Sequence, residues 1–157
     1  MSLIEYAKKG NIEGIKLRWT KLKKENIQQL YSEMKDKDGY TVLQWAILYG
    51  NLEIVKLLIS LLQHNGTTLC EEYIMMKDNY GETLLYWACQ FGHLEIVRLL
   101  IIKGNLQKED ILLRSGSENN YGDTAYSVAK PSIKQLCNNV LFNGDINDMI
   151  KEIMVEL

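Results

Sequence analysis

The chain has 157 residues, 46% of them hydrophobic, with a single proline, three cysteines and a net charge of −2. The longest apolar run, Ile54 to Leu62, is broken by Lys56 and Ser60, which excludes a bilayer-spanning helix there. An odd cysteine count with no repeating pair spacing, and an N-terminus without a signal-peptide core, predict an intracellular, cytoplasmic chain with reduced thiols, with the nucleus as an open alternative.

Residues 1–24 carry Lys8, Lys9, Lys16, Arg18, Lys21, Lys23 and Lys24 against Glu5 and Glu13, a local charge of +5, so the remainder carries −7. The solvated side of a terminal helix is the ordinary explanation of such a run. Steering of an acidic partner is the functional one. The run lacks the interleaved aromatics of a single-strand nucleic-acid platform. Leu3 to Leu17 reads as a short helix and a longer one joined at Gly10, and Glu25 to Tyr31 as a further helical turn.

At Thr41 a pattern begins that recurs. Thr41-Val42-Leu43-Gln44-Trp45-Ala46 returns as Thr83-Leu84-Leu85-Tyr86-Trp87-Ala88, 42 residues later, and as Thr124-Ala125-Tyr126-Ser127-Val128-Ala129 after 41 more. Gly39, Gly81 and Gly122 stand two residues before each threonine, where a tight turn needs positive φ. Each threonine then caps a short first helix, predicted over roughly 42–49 and 84–91. Second helices start near Leu52 and Leu94, and their apolar faces (Ile54, Val55, Leu57 and Leu58 in the first) are too wide for one unit to bury. A fixed period of this size predicts stacked copies of one small module.

Tyr49-Gly50-Asn51-Leu52-Glu53-Ile54-Val55-Lys56-Leu57-Leu58 and Phe91-Gly92-His93-Leu94-Glu95-Ile96-Val97-Arg98-Leu99-Leu100 complete two copies. With the threonine segments, they resemble the ankyrin-repeat signature, Thr-Pro-Leu-His-x-Ala followed by Gly-His-x-x-Val-Val-x-Leu-Leu. The resemblance covers residues 3 to about 137. It departs at the proline slot (Val42, Leu84, Ala125) and the histidine slot (Gln44, Tyr86, Ser127). Gln44 and Ser127 are suited to substitute bonds, and Tyr86 to packing or pointing outward. Pro131 shortens the helix link of the third copy.

The extra eight or nine residues per period fall in the connectors, which twice end in Tyr-x-x-Met-Lys-Asp, at Tyr31–Asp36 and Tyr73–Asp78. Glu71 to Met75 and Gln107 to Leu113 are predicted helical turns there, read as packing filler, with an elaborated binding edge as the alternative. Ile146, Met149, Ile150, Ile153, Met154 and Leu157 share one helical face after Gly144 and the capping Asp145. This predicts a helix capping the last repeat; a partner-docking or dimer-forming helix is the competing reading.

The predicted fold is therefore all-α: an α-solenoid of stacked helix-turn-helix repeats, about three and a half units, with short hairpin tips. The segments are 1–34 (half repeat and connector), 35–76, 77–117, 118–143 (degenerate repeat) and 144–157 (cap).

No catalytic constellation is evident, so the chain is read as a non-enzyme without cofactor or metal. His93 occupies the repeat's own histidine slot, and His64 abuts the turn Asn65-Gly66. Cys70, Cys89 and Cys137 lack metal-ligand spacing, and Cys89 suits a buried position. Arg114-Ser115-Gly116-Ser117 completes no phosphate loop, and Glu71-Glu72 and Glu109-Asp110 read as solvated pairs.

The resemblance implies partner contact through the turn tips and the exposed side of the first helices, which line a concave groove. Carried onto this chain, the tip positions are Lys35, Lys37, Asp38 and Tyr40, then Lys77, Asn79, Tyr80 and Glu82, then Glu118, Asn120, Tyr121 and Asp123. The helix ends are Lys8 and Lys9, Leu48 and Tyr49, Gln90 and Phe91. The candidate binding set is Tyr40, Leu48, Tyr49, Tyr80, Glu82, Gln90, Phe91, Tyr121 and Asp123, while Trp45 and Trp87 are expected in the core. The expected function is a monomeric scaffold or adaptor binding another protein. The alternatives are a regulatory or inhibitory subunit of an enzyme complex and a charge-driven binder of nucleic acid or membrane surface.

Overall fold

The computed structural model of the chain describes residues 1–63, 73–103 and 121–142. Nine helices follow one another among them: α1 (Leu3–Lys8), α2 (Ile12–Glu25), α3 (Ile27–Glu33), α4 (Val42–Leu48), α5 (Leu52–Gln63), α6 (Leu84–Phe91), α7 (Leu94–Lys103), α8 (Ala125–Val128) and α9 (Pro131–Phe142). The connector turn at 107–113, positions 118–120 and the helix at 144–157 lie outside the described residues.

Threonine sets the start of each first helix. The hydroxyls of Thr41, Thr83 and Thr124 accept from the backbone N–H of Gln44, Tyr86 and Ser127. Each such cap contributes about 1 kcal/mol. Gln44 and Ser127 return the bond to the threonine N–H, so both serve as substitutes in the histidine slot. Tyr86 is buried and packs. Gly39, Gly81 and Gly122 all have positive φ, from 79° to 85°, as the tight tips require. The third helix pair is joined through extended Ala129 rather than a glycine, and Pro131 opens α9, where its missing N–H costs nothing.

Two layers result. First helices contact in the order α1, α4, α6, α8, and second helices in the order α2, α5, α7, α9. Ala7, Ala46 and Ala88 are fully buried in the first row, where helices approach closely. Ile15, Val55, Leu58, Val97, Leu100 and Ile133 fill the space between layers. The modules lie side by side and hide each other's apolar faces, as the period predicts. The connectors pack too: Leu30, Met34, Tyr73 and Ile74 are buried, and the Tyr73 hydroxyl donates to the Met34 carbonyl at 2.8 Å.

Polar links repeat across the module boundaries. Asn51 Nδ2 donates to the Ala7 carbonyl (3.1 Å), and Lys130 Nζ donates to the Phe91 carbonyl (3.1 Å). His93 stands in the slot of Asn51 in the module between them.

Candidate partner-binding surface

The first two tips are each organised by an aspartate. Asp36 Oδ1 accepts from the N–H of Asp38 (3.0 Å) and Tyr40 (2.9 Å), and Oδ2 accepts from Trp45 Nε1 (2.8 Å). Forty-two residues on, Asp78 Oδ1 accepts from the N–H of Tyr80 and Glu82, both at 2.9 Å, and Oδ2 accepts from Trp87 Nε1 at 3.2 Å. Asp78 also receives Gln44 Nε2 from the preceding module at 2.6 Å. A short polar side chain that bonds the backbone two and four residues on closes the turn locally. Here it also pins the indole of the first helix, tying tip and helix together.

Pinning the tryptophans builds a row of rings. Tyr49 stacks on Trp45 (centroids 6.4 Å apart), and Trp45 meets Tyr40 edge-on (5.9 Å). Tyr40 stacks on Tyr80 (5.9 Å) and meets Trp87 edge-on (5.1 Å). Trp87 continues to Phe91 (5.8 Å), and Phe91 to the His93 ring (6.5 Å). These spacings are those of favourable aromatic pairs. Lys8 Nζ lies 3.5 Å from the Trp45 ring centre, a cation–π contact at the N-terminal end of the row.

Tyr49, Tyr80, Phe91 and Tyr121 are the exposed rings, at 55%, 42%, 37% and 73%. Tyr40, Leu48 and Glu82 are half-buried, and Gln90 and Asp123 are exposed. The structure thus joins Tyr40, Tyr49, Tyr80 and Phe91 through two tryptophans. Trp87 is buried as expected, but Trp45 is only half-buried. It sits at the edge of the row because only the short helix α1 covers that side. The sequence reading missed the roles of Asp36 and Asp78. The signal was present in the recurring Tyr-x-x-Met-Lys-Asp, whose aspartate stands nine residues before each tryptophan.

Burial pushes the Tyr40 phenol up to about 12, with the Tyr80 hydroxyl and the charges of Asp78 and Glu82 adding to it. Tyr40 is a neutral hydrogen-bonding group at ordinary pH. Burial, followed by the Lys130 ammonium, holds His93 below the usual histidine value, against the pull of the Ile47 carbonyl. Its buried Nε2 has no partner. Burial also raises both described thiols, Cys137 to about 11 and Cys89 further.

The basic N-terminal run is partly engaged within the fold. Lys8 covers Trp45, Lys16 pairs with Glu13 (2.8 Å), and Arg18 pairs with Glu33. Glu33 in turn accepts from the Leu3 N–H at the start of α1 (3.3 Å). Among the described residues no group of three or more His, Cys, Asp or Glu is placed to hold a metal ion, and no helix is long and apolar enough to cross a membrane.

A family model described as ankyrin repeats (3 copies) matches residues 3–111. No curated protein matches the chain in sequence. Among solved structures, a chain from the crystal structure of the yeast ribosomal protein Rps3 in complex with its chaperone Yar1 superposes with a TM-score of 0.70 at 21% identity, covering 90% of this chain and 89% of that one. At that identity the likeness is one of fold.

Proposed function

The chain belongs to the ankyrin-repeat family, and from that premise we propose that it is a non-catalytic adaptor that grips a partner protein along its tips and first helices. Ankyrin repeats are protein-interaction modules. The row of rings from Tyr49 to Phe91 carries the reading. Exposed rings held by two packed indoles, Trp87 buried and Trp45 half-buried, offer large contact area at little entropic cost, and such groups dominate protein interfaces. Leu48, Gln90, Tyr121, Glu82 and Asp123 flank the row and complete the surface. The solved structure that shares this fold is of a ribosomal protein in complex with its chaperone, a role of the same class.

The test is capture of partners from a lysate with wild-type protein and with Tyr49→Ala/Phe91→Ala, identified by mass spectrometry. The pair of substitutions should abolish specific capture while far-UV circular dichroism stays unchanged. Capture of the same partner with undiminished affinity would move the site elsewhere.

A further inference from the structure

α2 and α5 lie side by side in the layer of second helices, whereas the row of rings runs over the tips and first helices. Between them opens a groove of about 450 Å³, lined by Trp19, Thr20, Lys23 and Lys24 of α2 and by Ser60 and Leu61 of α5. Trp19 is 2% exposed and Leu61 half-buried, which makes the floor apolar. The Ser60 hydroxyl already donates to the Leu57 carbonyl (2.7 Å), so the two ammonium groups and the Thr20 hydroxyl are the donors of the rim. α2 carries five basic groups against Glu13 and Glu25, and on α5 Glu53 and Lys56 cancel. Lys16 is paired with Glu13, Arg18 with Glu33 and Lys56 with Glu53. Lys21, Lys23 and Lys24 are exposed and enter no ion pair among the described residues. Lys23 and Lys24 complement the helix dipole in the last turn of α2, which calls for the charge but not for an apolar trough beside it.

We propose that this groove docks an acidic segment of a partner protein, with one aliphatic side chain against Trp19 and Leu61 and carboxylates on Lys23 and Lys24. Charge complementarity selects the acid, and the apolar floor selects the aliphatic group beside it. A bare phosphate polymer supplies no such group. A single strand would need an open ring to stack on, and Trp19 is almost wholly covered. A flat bilayer cannot reach a recessed floor. Lys23 follows Trp19 by four residues, so the two lie about 6 Å apart along one side of α2. Alternate residues of an extended chain are about 6–7 Å apart and share a face. The matching pattern therefore places an acid two residues from the aliphatic side chain. The site stands apart from the row of rings, and neither depends on the other.

Fluorescence anisotropy with labelled Gly/Ser peptides tests this on the full-length protein. One peptide bears Glu-Glu-x-Leu-x-Glu-Glu, which serves either chain direction. A second has lysine in place of every glutamate, and a third has serine in place of leucine. The acidic leucine peptide should bind, the lysine peptide not measurably, and the serine peptide about tenfold more weakly. Lys23→Gln/Lys24→Gln should weaken the acidic peptide about fivefold. Lys9→Gln/Lys21→Gln removes the same charge outside the groove and should cost less than about twofold. Circular dichroism confirms folding throughout. Tyr49→Ala/Phe91→Ala should bind this peptide as wild type does, whatever becomes of its captured partner. No binding of the acidic peptide, indifference to its leucine, or equal losses in the two lysine variants would overturn the proposal. So would loss of binding in the Tyr49→Ala/Phe91→Ala variant, which would place the peptide on the rings. Displacement by oligothymidylate or phosphatidylserine vesicles at lower concentration than by unlabelled peptide would give the groove to phosphate groups instead.

Discussion

Gln44 and Asp78 meet across the module boundary, amide Nε2 to carboxylate Oδ2 at 2.6 Å. Both are almost fully buried, at 1% and 8% exposure. The same glutamine uses its Oε1 to accept the Thr41 N–H (2.7 Å), so one side chain ties the start of α4 to the next tip. A family slot usually filled by histidine has become a bridge.

Asp78 therefore holds four donors and Asp36 three. Bonds to a charged acceptor contribute roughly 1.5–3 kcal/mol each and are not additive. Asp78→Ala should lower stability by about 3–5 kcal/mol, and Asp36→Ala by about 1 kcal/mol less. Urea denaturation of the two variants measures this. Equal losses would mean that the Gln44 bond contributes nothing.

His93 should give the fold a pH dependence. Its folded pKa lies below the unfolded value near 6.5, so the unfolded chain takes up the proton first. Stability should therefore be full above about pH 7 and decline as pH falls through the mid-6 range and below. His93→Asn installs the residue found at position 51 and removes the titrating group. Its stability curve should be flatter than wild type between pH 7 and 5, measured by thermal melts. Parallel curves would assign the slope to other groups.

Leucine truncation should separate core from rim. Leu58 and Leu100 are fully buried, whereas Leu57 is only partly covered, although the apolar pattern places both leucines of α5 on one face. Leu58→Ala should cost about 2–5 kcal/mol, and Leu57→Ala clearly less. Calorimetric melting of the two proteins gives the comparison, and a larger loss at position 57 would contradict the packing described.

The Cys89 and Cys137 thiols should resist alkylation in the native state, since both are buried and neither ionises at ordinary pH. Iodoacetamide labelling followed by mass spectrometry should modify them only on addition of denaturant. Rapid native labelling of either would place it at the surface.

Much of this was legible because repetition turns spacing into structure. Thr41, Thr83 and Thr124 marked the caps, and Gly39, Gly81 and Gly122 the turns, through purely local physics. The exposed rings at Tyr49 and Phe91 were legible from their place before a helix-ending glycine. Less local facts were hidden. Trp45 and Trp87 occupy one slot, yet only Trp87 has a preceding tip, whose Tyr40 meets its ring, so burial differs where sequence does not. The Gln44–Asp78 bond joins residues 34 apart, and no periodicity in a single chain announces such a pairing.

The links from Asn51 to Ala7 and from Lys130 to Phe91 both point backward along the chain. In every case the donor is translated after its acceptor. Synthesis proceeds from the N-terminus, and early segments fold first. A newly emerged module thus finds its docking carbonyl waiting on a finished neighbour, and the polypeptide can be assembled in the order in which it is made.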